Sequence, residues 1–358
     1  MRREIAGTAA ALGIMGLAVL VPAFLPGAGS PREDVYHAWA DDTTFTVTQV
    51  RPGVYFAVGR QGQIVGANSV FIVTDRDVIL VDDHITPRAA RALLSEIRRL
   101  TDKPLRYVVN THFHYDHTSG NEVFGPEVEI VSHPATRARL LASGQETIRG
   151  QLAGIPNQIA AARARRDTTR SDSVRATLDR QIRSLQQLAE DYTGLTVVLP
   201  SMTVDSSLIF YRGGGQEIRV FYMGRAHTNG DVVVQLPREG LLLAGDLITN
   251  TAGPPFMIDG YPGEWAATLR RLARLDFATT LSGHGLPFDG KARYEGTAAF
   301  MDDLWRQVQA LAARGVAREA VAGQVDLAAH RGTFPALANG INPANVQRAW
   351  DLATGRAN

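Results

Sequence analysis

Two rhythms of apolar residues alternate along this chain. β-Branched and aromatic residues dominate short runs at 44–50, 54–58, 69–74 and 78–81, punctuated by Pro52-Gly53, Gly62 and Asp75-Arg76-Asp77. Runs of this length between turn formers predict strands joined as an antiparallel meander. The last of them, Val78-Ile79-Leu80-Val81, is apolar throughout, as expected of a strand buried on both faces. The rhythm then lengthens. Ala90, Leu93, Leu94, Ile97 and Leu100 fall at helical spacing behind Pro87, which a first turn tolerates. Strands are predicted again at 105–110 and 127–131.

From about 137 to 192 the strand signals vanish. Val174, Leu178, Ile182, Leu185, Ala189 and Tyr192 keep helical spacing behind an N-cap at 171–173, and an earlier helical stretch is interrupted at Gly154-Ile155-Pro156. This predicts a helical insertion, a hairpin beside or over the site that the strands build. Strands return at 195–199, 207–211, 217–223, 231–236 and 241–244, followed by a helix over 264–275 and a short strand at 279–281. The tail from 291 to 358 is mainly helical, with Phe300, Leu304, Trp305, Val308 and Leu311 on one face. Two strand-rich halves, each with its own helices, make an α/β (α+β) architecture.

Composition narrows the chemistry. The 358 residues suffice for one large domain or two ordinary ones. A formal net charge of +1 gives no reason to expect nucleic acid as a partner. Cysteine is absent, which excludes disulfides, thiolate metal sites and a cysteine nucleophile, so any metal must be held by His, Asp or Glu. Met1-Arg2-Arg3-Glu4, an apolar stretch over 6–25 and small residues at 26–30 read as a secretory signal peptide over 1–30. The expected location is periplasmic or secreted, with no membrane contact in the mature form unless that apolar stretch is retained as an anchor.

Against this background one segment stands out, Thr111-His112-Phe113-His114-Tyr115-Asp116-His117. Four candidate ligands lie within six residues, directly after the strand predicted at 105–110. Packing three imidazoles and a carboxylate together without a metal would bury polar groups at high cost, and this ligand mixture suits zinc or a similar borderline metal. Three more strand ends offer ligands in glycine-containing turns: His227 after 217–223, Asp246 after 241–244 and His284 after 279–281. Asp82 ends the buried strand at 78–81, with Asp83 and His84 beside it.

The motifs His-x-His-x-Asp-His at 112–117, Gly-x-x-His-Thr at 224–228, Gly-Asp at 245–246 and Gly-His-Gly at 283–285 resemble, in order, those of the metallo-β-lactamase superfamily. The resemblance covers roughly residues 44–290. It implies an αββα sandwich of two mixed β-sheets flanked by helices, with the site at one edge between them. The catalytic domain would then occupy 31–358, including the insertion at 137–192 and the helical extension at 291–358. Position by position, the resemblance implies that His112, His114 and His227 hold one ion, that Asp116, His117 and His284 hold a second, and that Asp246 bridges them. Asp82 would stand behind the ligand loop, with Asp83 as its competitor. Two Zn2+ ions are implied, with Fe or Mn as alternatives. Such a pair can share a hydroxide, acidify it and polarise a carbonyl or phosphoryl oxygen. Asp116 would orient that hydroxide and help pass its proton to the leaving group. His84 is read as lining the cleft mouth or as an exposed loop histidine, Tyr115 and Asn121 as residues in reach of substrate, His133 as structural, and His37 and His330 as surface residues.

One departure separates branches of the superfamily. β-Lactamases of this fold generally carry Cys or Ser where this chain has Asp246. The bridging aspartate instead resembles glyoxalase II, phosphodiesterase, lactonase and ribonuclease Z sites, and the lack of basic surplus speaks against a ribonuclease. The expectation is a binuclear zinc hydrolase acting on a small-molecule ester, lactone, thioester, amide or phosphoester. The alternatives are a mononuclear iron enzyme similar to persulfide dioxygenases, a β-lactam-hydrolysing enzyme, or a non-catalytic binding protein on the same scaffold. The complete ligand set argues against the last.

Overall fold

The computed structural model describes residues 37–39, 44–60 and 63–357, so the predicted signal peptide lies outside the described residues. Strands β1 (His37–Trp39), β2 (Phe45–Arg51), β3 (Val54–Gly59), β4 (Ser69–Val73) and β5 (Val78–Val81) pair antiparallel in chain order. Helix α1 (Pro87–Leu100) then crosses over to β6 (Leu105–Val109), which runs parallel to β5. Its start is set by Thr86, whose hydroxyl accepts from the Ala89 N–H, and by Pro87 in the first turn. After the one-turn α2 (Tyr115–Thr118) comes β7 (Glu129–Ser132), parallel to β6. Helices α3 (Pro134–Arg139), α4 (Gln145–Thr168) and α5 (Asp172–Tyr192) follow, and β8 (Met202–Thr203) completes the first sheet alongside β7.

The second sheet begins with β9 (Ser207–Arg212), β10 (Gln216–Tyr222), β11 (Val232–Leu236) and β12 (Leu241–Gly245), all antiparallel. Helix α6 (Pro262–Ala273) crosses to β13 (Thr279–Ser282), parallel to β12, and β14 (Phe288–Asp289) forms the edge. Helices α7 (Ala292–Ala313) and α8 (Pro343–Ala353) end the chain's regular structure.

Strand parity builds the layers. Ile79, Val81, Val109 and Val131 face inward and meet Ile218, Val232, Val234, Leu241 and Leu243 of the second sheet. Val78, Leu80, Val108 and Ile130 face outward onto Ala89, Leu93 and Ile97 of α1. On the far side, Val233 and Leu242 pack on Trp265, Leu269 and Leu272 of α6 and on Phe300 and Leu304 of α7. The central strands are therefore apolar on both faces, and the architecture is the expected αββα sandwich.

Three expectations need correction. Residues 195–199 form no strand, because the Gln145 side chain takes their backbone groups: its amide donates to Leu195 O and accepts from Val197 N. Helix α4 continues through Gly154-Ile155-Pro156 instead of breaking there. Ile155 is buried with Leu185, Leu188 and Tyr192 of α5, so tertiary packing overrides the proline penalty. His84 lies fully buried, not at a cleft mouth. Its positive φ of 76° turns the ring inward, where it stacks on Phe45 at 4.6 Å and contacts Ser69 Oγ and Val65 O.

Two predictions follow from this packing. Arg212 on β9 reaches across to the turn before β5 and donates to both oxygens of Asp77 at 3.0 and 2.9 Å, tying the sheets together. Both side chains are almost fully buried. Arg212→Met should cost about 3 kcal/mol in a denaturant titration by leaving a buried carboxylate unpaired, and adding Asp77→Asn should recover part of it. Burial pushes the His84 imidazole down to about 3. An unfolded histidine titrates near ~6.5, so the unfolded chain takes up this proton first and stability should fall as pH drops from about 6.5 towards 3. His84→Asn, which tolerates the left-handed backbone, should flatten that part of the stability–pH curve.

Candidate metal centre

Four strands end at the same edge of the sandwich. β5 delivers Asp82, β6 delivers the 111–117 segment, β12 delivers Asp246 and β13 delivers His284. Asn68 locks this edge, its side chain donating to Ser282 O and Gly285 O and its backbone N–H to Gly283 O. Gly283 must stay bare, because a Cβ there would lie 2.2 Å from Asp246 Oδ1 and 2.8 Å from the His117 ring.

His112, His114 and His227 form one trio. His114 Nδ1 lies 3.0 Å from His112 Nε2 and 2.9 Å from His227 Nε2. The outer nitrogens reveal where the protons sit. His227 Nδ1 donates to the Phe256 carbonyl at 2.9 Å, and His114 Nε2 donates to Asp259 Oδ2 at 3.1 Å. The single hydroxyl proton of Thr111 goes to Asp82 Oδ2, so Thr111 Oγ1 accepts from His112 Nδ1 at 3.0 Å. Three lone pairs therefore face one another. Burial and then neighbouring imidazoles push His112 below the usual histidine range, and burial with His114 pushes His227 down to about 3. Both are held neutral, the form that ligates metal.

The second trio is Asp116, His117 and His284. His117 Nδ1 donates to Asp82 Oδ2 at 2.8 Å, which leaves Nε2 facing Asp116 Oδ2 at 3.5 Å and Asp246 Oδ1 at 3.6 Å. His284 Nε2 lies 3.2 Å from one oxygen of each carboxylate. Burial opposes charge on these histidines, but Asp116 with Asp82 outweighs it at His117, and Asp246 with Asp116 lifts His284 to about 10. Burial likewise works against the carboxylates, yet His117 and His284 hold Asp116 and Asp246 below the ordinary carboxylate range. The first trio is built for a neutral-ligand cation site. The second, with Asp246 beside it, faces two carboxylates that call for positive charge, supplied by protons or by a metal.

A cation fits both places. His117 Nε2 and Asp246 Oδ1 are buried with no hydrogen-bond partner, a costly condition that a metal removes. Asp246 stands between the trios, with Oδ2 3.7 Å from His227 Nε2 and 3.2 Å from His284 Nε2. Ligand atoms of His112, His114 and His227 lie within 4.8 Å of one another, as do those of Asp116, His117 and His284.

All seven residues singled out from the motifs thus meet at one place, and Asp82 rather than Asp83 stands behind them. Asp83 is occupied elsewhere, accepting from Gly120 N and Asn110 Nδ2. Asn121 is buried against Asn110 and Val198 O, away from any cleft, and Tyr115 packs on the insertion beside Tyr192. His133 caps α3, and His330 pairs with Asp303. Asp259 and the Phe256 carbonyl were not legible beforehand. They sit in an irregular loop, not at a strand end, and a backbone carbonyl carries no side-chain signature.

A helix–sheet–sheet–helix sandwich with clustered His and Asp at one edge defines a metal-binding α/β domain. Residues 63–284 match the family model described as the metallo-beta-lactamase superfamily. The chain belongs to that superfamily. It is 20% identical over 230 residues to a metallo-beta-lactamase type 2 of Bacillus cereus, covering 63% of this chain and 69% of the relative. It is 24% identical over 257 residues to the probable metallo-hydrolase YqjP of Bacillus subtilis, covering 68% and 73%. A shorter match, 38% over 55 residues, is to a linear primary-alkylsulfatase of Pseudomonas sp. and spans only 15% of this chain and 10% of that protein. In fold it is similar to the inverting sec-alkylsulfatase Pisa1 from Pseudomonas sp., with a TM-score of 0.63 at 16% identity over 86% of this chain and 50% of that one. A metallo-beta-lactamase from Pontibacter korlensis aligns with a TM-score of 0.53 at 18% identity, covering 72% of this chain and 99% of that one.

Asp82 accepts from Thr111 N, Thr111 Oγ1 and His117 Nδ1, each at 2.8 Å, so it orients ligands of both trios. Asp82→Asn should therefore weaken metal binding about 10–100-fold, read by chelator competition. Asp246→Ala or His227→Ala should lower metal content and abolish activity; wild-type content in either would remove them from the ligand set.

Proposed function

We propose that this chain is a binuclear zinc hydrolase, periplasmic or secreted, that cleaves a small-molecule ester, lactone, thioester, amide or phosphoester. The observation that carries this reading is the pair of orphaned buried atoms, His117 Nε2 and Asp246 Oδ1, beside three imidazole lone pairs that face one another. In this reading His112, His114 and His227 hold one ion and Asp116, His117 and His284 the other. Asp246 spans them, since its oxygens reach towards histidines of both trios. The location rests on the signal-peptide pattern at 1–30. Among the described residues no helix is long and apolar enough to cross a membrane.

When bound, the ions supply an acidified water and a Lewis acid for the substrate oxygen. The remaining work falls to side chains. Asp116 and His284 are the more open ligands, with side chains 21% and 32% exposed, whereas His117 is fully enclosed. Substrate therefore approaches from the Asp116–His284 side. Asp116 is held as a carboxylate, suited to accept a hydrogen bond from the attacking water and to carry its proton to the leaving group. Thr111, Asp82 and Asp259 keep the imidazoles in the required tautomers.

A second substrate reading comes from the relatives. The alkylsulfatases among them favour a sulfate ester, cleaved at the same site. Asp246 argues against β-lactams as the main substrate for the reason given above.

Metal analysis of the chain purified without added metal should find about two zinc ions per chain. Chelation should abolish turnover across a panel of carboxylic, phosphoric and sulfuric esters and lactones, and zinc should restore it. One iron per chain, with oxygen consumed on a persulfide, would overturn the hydrolase reading in favour of a dioxygenase. Turnover confined to sulfuric esters would select the alkylsulfatase reading.

A further inference from the structure

Two of the three histidines in the first trio are fixed from outside by one irregular loop, between β12 and α6. His227 Nδ1 ends on the Phe256 carbonyl, and His114 Nε2 ends on Asp259. Arg139 and His284 hold it from within the family match at 63–284, but several further holds lie beyond that match. Arg293 on α7 donates to the Thr249 and Thr251 carbonyls. Ala336 N donates to Ala252 O at 3.0 Å. On α8, Arg348 Nε donates to Gly260 O at 2.9 Å. Asn345 uses both ends of its amide: Nδ2 donates to Pro255 O at 3.2 Å and Oδ1 accepts from Met257 N at 2.9 Å.

The Asn345 contacts flank Phe256 on either side. A side-chain amide gripping residues 255 and 257 leaves the intervening peptide little freedom to rotate, so the Phe256 carbonyl is kept aimed at His227. Asn345 is 3% exposed and Met257 is fully buried, so the amide, and not bulk solvent, satisfies these two backbone groups. A helix 118 residues away in sequence from His227 thereby sets which nitrogen of that histidine carries the proton. The bond at Nδ1 makes Nε2 the lone-pair nitrogen and raises its basicity as a ligand.

We propose that Asn345, supported by Arg293 and Arg348, is a positioning residue for the three-histidine metal site, so that the C-terminal helices set the affinity and ligand field of that site through residues 249–260. The inference rests on the reading of His112, His114 and His227 as metal ligands. The competing account is that these contacts only fasten α7 and α8 to the domain. That account predicts lost stability with an unchanged site.

The test uses the full chain in the wild type and four variants, Asn345→Ala, Asn345→Asp, Arg348→Met and Asp351→Asn. Asp351, on the same helix as Asn345, pairs through both oxygens with Arg318 in the segment after α7, and supplies a destabilised control that leaves the grip on the loop intact. Three quantities are read: zinc affinity of each site by chelator competition, the visible spectrum of the cobalt(II)-substituted protein, and Tm of the metal-free protein. Asn345→Ala should weaken one of the two sites about 10–100-fold and change the cobalt spectrum. Asn345→Asp keeps the acceptor for Met257 N and should fall between it and wild type. Asp351→Asn should lower Tm with affinities and spectrum unchanged. If Asn345→Ala does not fold, Asn345→Asp and Arg348→Met carry the same expectation in weaker form. Folded Asn345 variants with wild-type affinity and spectrum would overturn the proposal, as would an Asp351→Asn control that weakens the site equally. A wild type that takes up neither zinc nor cobalt would overturn the metal-centre reading itself, and the positioning role with it.

Discussion

A buried carboxylate governs this structure. Asp82 is 2% exposed and stands where β5 ends, between the two ligand trios. An ion in that position is tolerable only when its oxygens are fully engaged. Thr111 and His117 engage them, with bonds from a backbone N–H, a hydroxyl and an imidazole. Each of those bonds also fixes something that the site requires. The hydroxyl bond obliges Thr111 to accept from His112, and the imidazole bond leaves His117 Nε2 free. The residue adopts a left-handed φ of 60° to make these contacts, and its carbonyl is held by Ser69. Backbone strain, burial and ligand orientation meet in one side chain.

The same logic extends outward in layers. Every imidazole of the first trio has an acceptor behind it: a hydroxyl, a carboxylate and a carbonyl. Behind those acceptors stand further groups. Arg139, near the start of the insertion, pairs with Asp259, and its guanidinium lies over the Phe113 ring. The C-terminal helices hold the loop that carries Phe256. Insertion and extension are therefore joined to the metal-binding edge through hydrogen bonds and are not merely appended to the sandwich. A centre of crowded polar groups gains definition from such a surround, because each partner removes one alternative tautomer or rotamer.

Electrostatics divides the centre into unlike halves. Two buried imidazoles, His112 and His227, and the partly exposed His114 turn their outer nitrogens towards acceptors and their inner nitrogens towards one another. The neighbouring half has two carboxylates against two imidazoles and greater access to solvent. That asymmetry suits an arrangement in which one side anchors and the other receives substrate. Asp246 joins the two halves, since its oxygens reach histidines of both. The small residue at Gly283 is a steric condition of the same arrangement.

The sequence by itself determined the elements that depend on local pattern. Helix α1 spans the residues that its periodicity and Pro87 predict, and the apolar run 78–81 is buried on both faces. The side chains that gather at strand ends were legible because several chemically special residues recur at turns, and the ordered motifs identified the superfamily. What only the tertiary structure decided depends on partners distant in the chain. Residues 195–199 have strand-forming side chains but lose their pairing to Gln145, fifty residues earlier. Pro156 reads as a break until Ile155 is seen packed against α5. The choice between Asp82 and Asp83 needed the position of Thr111. Asp259, Asn345 and the Phe256 carbonyl carry no pattern of their own, because a loop conformation and a backbone acceptor are defined by what surrounds them. Local periodicity reports which face of an element is apolar; it does not report which distant polar group will satisfy a buried one.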